Sequence, residues 1–308
     1  MPDPAPVTIA VFMFAACLVY RAWFPCQARL GKPSRHEAER IAKTILILSH
    51  SRRCDLFQHQ TPGVVAIMVE PAPFRVVNPS GKSPYVLSCE HASSYIPAHY
   101  DGLGLPESEL SRHIAWDIGA AAVAERLACK IDAPLILSGY SRLLIDLNRP
   151  PGSPTSIPIV SERTEIPGNQ NISAQEAKAR EAAWFWPYQN ALSEIIETRL
   201  AAAITTRIFS VHSFTPVFKD FRRPWHAGIL YRHSAEWGEA LVRSLAAPGR
   251  VVAANQPYQV NDETDYLIPV QGEARGLEAV LLEIRQDLIG DDAGAFAWAD
   301  ILAGILAR

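Results

Sequence analysis

Two histidines far apart in the chain each close a short apolar run. Tyr85-Val86-Leu87-Ser88-Cys89 leads into Glu90-His91-Ala92-Ser93-Ser94, and Ile208-Phe209-Ser210-Val211 leads into His212-Ser213-Phe214-Thr215-Pro216. Both runs have the length and apolar character of buried strands, and both stop at small, polar, turn-forming residues. In an open α/β sheet, ligands and chemistry collect just beyond the carboxyl ends of strands. Two imidazoles delivered there could grip one cation. The plainer alternative is that each caps a strand or fills a polar crevice. The repetition of the pattern favours the cation.

Amide hydrolysis needs a nucleophile, a polarised carbonyl and a group that moves protons. Catalytic zinc sites supply the first two with three protein ligands and one open position. Asp117, after Trp116 and at the start of a predicted helix, is the acid that would complete a ligand set with His91 and His212. Its plain alternative is a helix N-cap. Glu90 would point to the other side of an extended backbone from His91, so it ranks lower as a ligand.

Glu283 closes the strand-like run Val280-Leu281-Leu282-Glu283. A carboxylate there is costly unless paired or working. It is the expected general base, with an ion pair to Arg285 or Arg149 as the alternative. The densest polar stretch is Ser141-Arg142-Leu143-Leu144-Ile145-Asp146-Leu147-Asn148-Arg149-Pro150. A guanidinium grips a carboxylate as a fork, and a neighbouring amide adds direction, so Arg142, Asn148 and Arg149 suit an acidic substrate. Asp146 reads as a residue that orients an arginine. Ser213 and Arg285, beside the second histidine and the base, join the expected substrate-binding set. Arg222-Arg223-Pro224-Trp225 reads as a solvated basic edge.

The elements that must position these residues alternate from residue 84 onward. Strands are expected at 85–89, 134–138, 143–147, 207–211, 226–231, 250–253 and 279–284. Helices are expected at 117–130, from a capping box at Ser173 to about Ala203 with a break at Pro187, and at 234–247 and 293–307. That order predicts one three-layer α/β domain with a central, mostly parallel mixed sheet flanked by helices. A loop as long as 150–172 tends to be functional.

The bulk numbers agree with an ordinary globular chain: 308 residues, 48% hydrophobic, 20% charged, net charge −3. So small and mixed a charge gives no reason to expect a nucleic acid partner. Five cysteines without a CxxC pair imply neither a disulfide framework nor a thiolate zinc site, and a reducing cytoplasm is expected. Residues 1–67 read as an atypical N-terminal extension, and 68–308 as the catalytic domain. The extension's apolar stretch, 7–24, is interrupted by Arg21, and its unbroken part, Val7 to Tyr20, is short against the roughly 20 residues of a bilayer span. A membrane anchor is the competing reading.

The chain resembles the N-formylglutamate amidohydrolase family. The resemblance rests on CEHASSYIP (89–97), LGLPESEL and RHIAWDIGA within 103–120, SRLLIDLNRP (141–150), SERTEIPGN (161–169), VHSFTPVF (211–218), RPWHAGILY (223–231) and LEIRQDLI (282–289). It implies a zinc carboxypeptidase-like, phosphorylase/hydrolase-like fold, bound Zn²⁺ and hydrolysis of N-formyl-L-glutamate to formate and glutamate. It further implies that His91 and His212 are metal ligands, that Glu283 is the base, and that Asn148-Arg149 hold the substrate's α-carboxylate. Gln271 stands where many relatives of this branch would carry His. Two other functions remain open on sequence: an amidase or carboxypeptidase acting on cell-wall peptides, and a metal-free binding protein.

Overall fold

Strand alternation divides the core into two layers. Along β2 (Tyr85–Cys89), Tyr85, Leu87 and Cys89 belong to one apolar cluster and Val86 to the other. β6 (Arg207–Phe214) does the same, with Phe209 and Val211 on the first side and Ile208 on the second. So does β11 (Ala279–Arg285), with Val280, Leu282 and Ile284 opposed to Ala279 and Leu281. A period of two in a strand buried on both faces gives this division. The computed structural model describes residues 70–307. The expectations for residues 1–67, including the apolar stretch 7–24, lie outside the described residues.

The central sheet has seven strands in the order β1-β3-β2-β6-β11-β9-β10, completed by β1 (Phe74–Val77), β3 (Leu135–Ser138), β9 (Ala227–Leu230) and β10 (Val252–Ala254). β3, β2, β6 and β11 run parallel, β1 is antiparallel to β3, and the parallel pair β9-β10 joins β11 antiparallel. The mixed, mostly parallel sheet is as the sequence predicts. Helices α1 (Ala120–Ile131), α4 (Ala235–Leu245) and α5 (Asp292–Leu306) cover the first face through Val123, Leu127, Trp237, Leu241, Trp298 and Leu302. Between α1 and α4 in sequence come α2 (Ala174–Arg180) and α3 (Trp186–Ala201), joined by a π-helical turn at Glu181–Phe185. The π-helical turn and α3 cover the second face through Phe185, Tyr188, Leu192 and Ile196. Burying each such large apolar side chain stabilises the fold by roughly 1.5–3 kcal/mol.

The N-cap half of the expected capping box forms, the Glu176 amide donating to Ser173 Oγ at 3.0 Å, while the Glu176 carboxylate accepts instead from Tyr100 OH and Arg180 Nε at 2.9 and 2.8 Å. Pro187, which lacks an amide proton, falls in the first turn of α3, just after the π-helical widening.

One expected strand is absent. Residues 143–147 are buried but irregular. Their carbonyls are taken by side chains instead of a strand partner: Asn169 Nδ2 donates to Leu143 O, Arg180 Nη1 to Leu144 O, and Gln189 Nε2 to Leu147 O. Buried backbone groups must be paired somewhere, and an apolar run alone does not say where. Strand β1 was not expected. The long loops also carry two small hairpins, β4-β5 (Val160–Ser161, Thr164–Glu165) and β7-β8 (Val217–Phe218, Phe221–Arg222). Among the described residues, no helix is long and apolar enough to cross a membrane.

Candidate metal centre and active site

The same alternation that builds the core aims the chemistry. On β6, Ile208, Ser210 and His212 share the face covered by α3; on β11, Ala279, Leu281 and Glu283 share it. His212 and Glu283 pair in register on adjacent parallel strands, at their carboxyl ends. The chain turns at Glu90 and His91, directly beyond β2. The Asp117 amide donates to His91 O at 2.9 Å, which fastens the loop carrying Asp117 over this turn. Gly119, at φ 81°, then starts α1; a Cβ there would meet Ile289 O at 2.0 Å. Only glycine fits that approach in the left-handed region.

The two imidazole rings lie edge to face, 4.8 Å apart. Both turn Nδ1 toward one oxygen: Asp117 Oδ2 is 2.7 Å from His212 Nδ1 and 3.3 Å from His91 Nδ1. All three residues are buried, and one ligand atom from each lies within 4.8 Å of the others. The structure therefore brings together the three residues expected as metal ligands. Two imidazoles and a carboxylate are a donor set suited to zinc; tetrahedral bonds of about 2.0–2.2 Å place donors about 3.3–3.5 Å apart, so Asp117 Oδ2 would part from its close contact with His212 Nδ1.

The outer nitrogens are held too. His91 Nε2 is 2.8 Å from Asp146 Oδ1, and His212 Nε2 is 2.8 Å from Glu90 Oε2. Carboxylates behind ligating imidazoles fix ring orientation and raise basicity. Each carboxylate is itself secured. Arg142 donates to Asp146 Oδ2 through Nε at 3.0 Å and Nη2 at 2.6 Å, and reaches Asp117 Oδ1 with Nη1 at 3.4 Å. Ser210 Oγ donates to Glu90 at 2.6 Å and Tyr188 OH at 3.1 Å.

The electrostatics follow from these contacts. Burial alone would raise the Glu90 carboxyl, but the hydrogen bond and charge of His212, with Ser210, outweigh it and bring it down to about 2. Burial would likewise raise Asp117, and the two imidazoles hold it far below the usual carboxylate range instead. His212 is disfavoured as a cation by burial, yet Asp117 and Glu90 on its two nitrogens raise it well above an ordinary histidine. Glu283 differs. It is 5% exposed, its Oε2 has no hydrogen-bond partner, and burial, reinforced by Asp117, pushes its carboxyl up to about 8 against the pull of His212, Arg142 and Arg223. Its partner on the other side is Gly228 of β9.

The remaining expected residues have other engagements. Asn148 Oδ1 accepts from the Tyr266 and Leu267 amides at 3.2 and 2.9 Å, and its Nδ2 faces Asp265 at 3.5 Å. Arg149 Nη1 donates to Thr264 O and Asn148 O. Ser213 Oγ donates to Ile118 O at 2.8 Å, and its amide faces Asp117 Oδ2 at 3.3 Å. Arg285 pairs with Asp287 and donates to Trp225 O. Gln271 is buried against α3, with Nε2 on Gln189 Oε1 at 2.8 Å and Oε1 accepting from Ser193 at 3.1 Å.

Residues 83–290 match the model of the N-formylglutamate amidohydrolase family. The chain belongs to this family. Membership makes it a hydrolase of the amidohydrolase class. A gene product of Agrobacterium tumefaciens is similar at 37% identity and TM-score 0.75, over 77% of this chain and 94% of that one. An N-formylglutamate amidohydrolase from Ralstonia eutropha JMP134, 20% identical, shares the fold at TM-score 0.60, over 77% of this chain and 97% of that one. Among curated proteins none matches.

Sequence reasoning missed three partners of the site. Glu90 lies outside the ligand group but holds His212 from behind. Tyr188, on α3, gave no sequence signal, since aromatic residues in helices are usually core. Arg223, read as a solvated edge residue, is buried.

Proposed function

We propose that this protein hydrolyses the amide bond of a small N-acyl amino acid, with N-formyl-L-glutamate as the leading substrate, using zinc held by His91, Asp117 and His212. One observation carries the reading. Both Nδ1 atoms converge on Asp117 Oδ2, while both Nε2 atoms are backed by carboxylates. Imidazoles that merely fill a crevice do not need that double support.

Bound zinc would supply a polarised acyl carbonyl and a water of lowered pKa. Glu283 would take the proton of the attacking water and return it to the departing nitrogen. Its dry surroundings raise its carboxyl to about 8 in the metal-free protein, where it is mostly protonated at neutral pH. The positive charge of a neighbouring cation would favour its ionised form. Arg142, clamped by Asp146 and Asp117, would face the charge that develops on the acyl oxygen. Asp146 and Glu90 would keep the two rings turned so that Nδ1 is presented. The unpaired Cys89 and Cys129 fit a reducing compartment such as the cytoplasm.

The test is zinc content of the purified protein together with an activity panel of N-formyl, N-acetyl and N-succinyl amino acids. Stoichiometric zinc with turnover of at least one of these is the expected result. Protein that retains no divalent ion and turns over none of them would instead be a binding protein.

A further inference from the structure

Arg223 stands where the β7-β8 hairpin returns to the body of the fold. Lys219 and Asp220, at φ 47° and 71°, make the two-residue left-handed turn that closes such a hairpin. The Arg223 amide donates to Pro216 O at 2.9 Å, sealing its base. The side chain then runs inward and is only 5% exposed. Its guanidinium lies among three aromatic rings, 4.8 Å from Phe218, 4.9 Å from Tyr258 and 5.5 Å from Phe214. Its hydrogen bond to Thr215 O, 3.3 Å from Nη1, uses one nitrogen of the fork.

Among the described residues no carboxylate lies within ion-pair distance of Arg223. Its neighbours at the site are otherwise occupied: Arg142 by Asp146 and Asp117, Arg285 by Asp287, Arg149 by two carbonyls. A buried cation without a counter-ion is costly, and three aromatic faces offset only part of that cost. Arg223 is near enough to Glu283 and Tyr258 to bear on the charge of both. A buried, planar, unneutralised fork beside the expected base is built to receive an anion.

We propose that Arg223 anchors a free carboxylate on the amino-acid half of the substrate, which restricts the enzyme to N-acyl amino acids and excludes amides inside a peptide. The proposal deepens the amidohydrolase reading and rests on it. It gives the anchoring role expected of Asn148 and Arg149 to Arg223, since those two side chains hold residues 264–267.

The test uses zinc-loaded full-length protein and two compounds, N-formyl-L-glutamate and its diamide, in which neither carboxylate is free. Wild type is expected to prefer the acid by about 10- to 100-fold in kcat/KM, the usual worth of a charge-assisted hydrogen-bonded pair. Arg223→Met should lose that preference, read within each protein as the ratio of kcat/KM for the acid to that for the diamide, so that any effect of the lost charge on Glu283 falls on both compounds. Arg223→Lys, which keeps the charge without the fork, should fall between them, and it carries the comparison alone if Arg223→Met does not fold. Calorimetric titration with the product L-glutamate reads the same loss without turnover. Undiminished preference for the acid in the variants, or unchanged L-glutamate affinity, overturns the proposal. Wild type that neither takes up zinc nor cleaves the formyl amide defeats the hydrolase reading instead, and titration with N-formyl-L-glutamate then decides the role of Arg223.

Discussion

Glu283 lies directly across from His212 on the adjoining parallel strand, buried, with one carboxylate oxygen lacking any hydrogen-bond partner. Buried polar atoms are nearly always satisfied, and those that are not call for a functional explanation. Glu283→Gln keeps the shape and removes the proton acceptor. It is expected to retain zinc and lose at least about a hundredfold in kcat, the scale of a missing general base. An unchanged rate in single-turnover measurements would make Glu283 structural.

The same residue sets a stability trend in metal-free protein. Its carboxyl titrates near 4.5 when unperturbed and at about 8 when folded, so folding takes up a proton between those values. The contribution is fully present below the unfolded value and is lost as pH rises through the folded one. Tm of metal-free wild type should fall from pH 5 to pH 8, and Glu283→Gln should reduce that fall. A variant whose Tm declines as steeply as wild type would contradict the raised carboxyl.

His212→Ala removes one proposed ligand and leaves Asp117 and Glu90 buried without the imidazole that lies between them. Loss of both zinc retention and turnover is expected, read by metal analysis after gel filtration and by activity. Full zinc with full activity would remove His212 from the ligand set.

Glu90→Gln and Asp146→Asn leave all three proposed ligands in place but weaken the support behind the rings. Losing such an outer partner typically costs about 10- to 100-fold in metal affinity or activity. Competition against a chelator should show that loss in both variants. Affinity equal to wild type would mean the rings are oriented by packing alone.

Gln271→Ala takes an amide away from Gln189 and Ser193 without touching the metal group. Leaving buried partners unsatisfied should cost roughly 1–3 kcal/mol of stability by denaturant unfolding. kcat/KM is expected to stay near the wild-type value, because the residue braces α3 and contacts none of His91, Asp117, His212 or Glu283. A collapse of kcat/KM with little change in stability would show that this position acts in the chemistry.

Much of this site is legible in the sequence. An apolar run ending in His reads as a strand delivering a ligand, and two such runs pointed to each other. Asp117 was readable from its place at a helix start. Glu90 was not, because alternation says on which side of its own strand a residue lies but not what comes from β6 to meet it. Arg223 looked solvated because nothing in Arg222-Arg223-Pro224 reveals that a hairpin turns the second arginine inward. The run 143–147 looked like a strand because apolar character reports burial, whereas pairing depends on Asn169, Arg180 and Gln189, far along the chain.

Those three side chains have a consequence for how such an enzyme diversifies. The carbonyls of Leu143, Leu144 and Leu147, in the segment bearing Arg142, Asp146 and Asn148, are held by donors from one later stretch, 169–189, and the segment takes no pairing from the central sheet. That stretch also carries Tyr188, which donates to Glu90 behind His212, and the segment it holds carries Asp146 behind His91, so replacing it would disturb the support of both rings. Selectivity and reactivity are thus tied to the same lengths of chain, and a change in one carries over to the other.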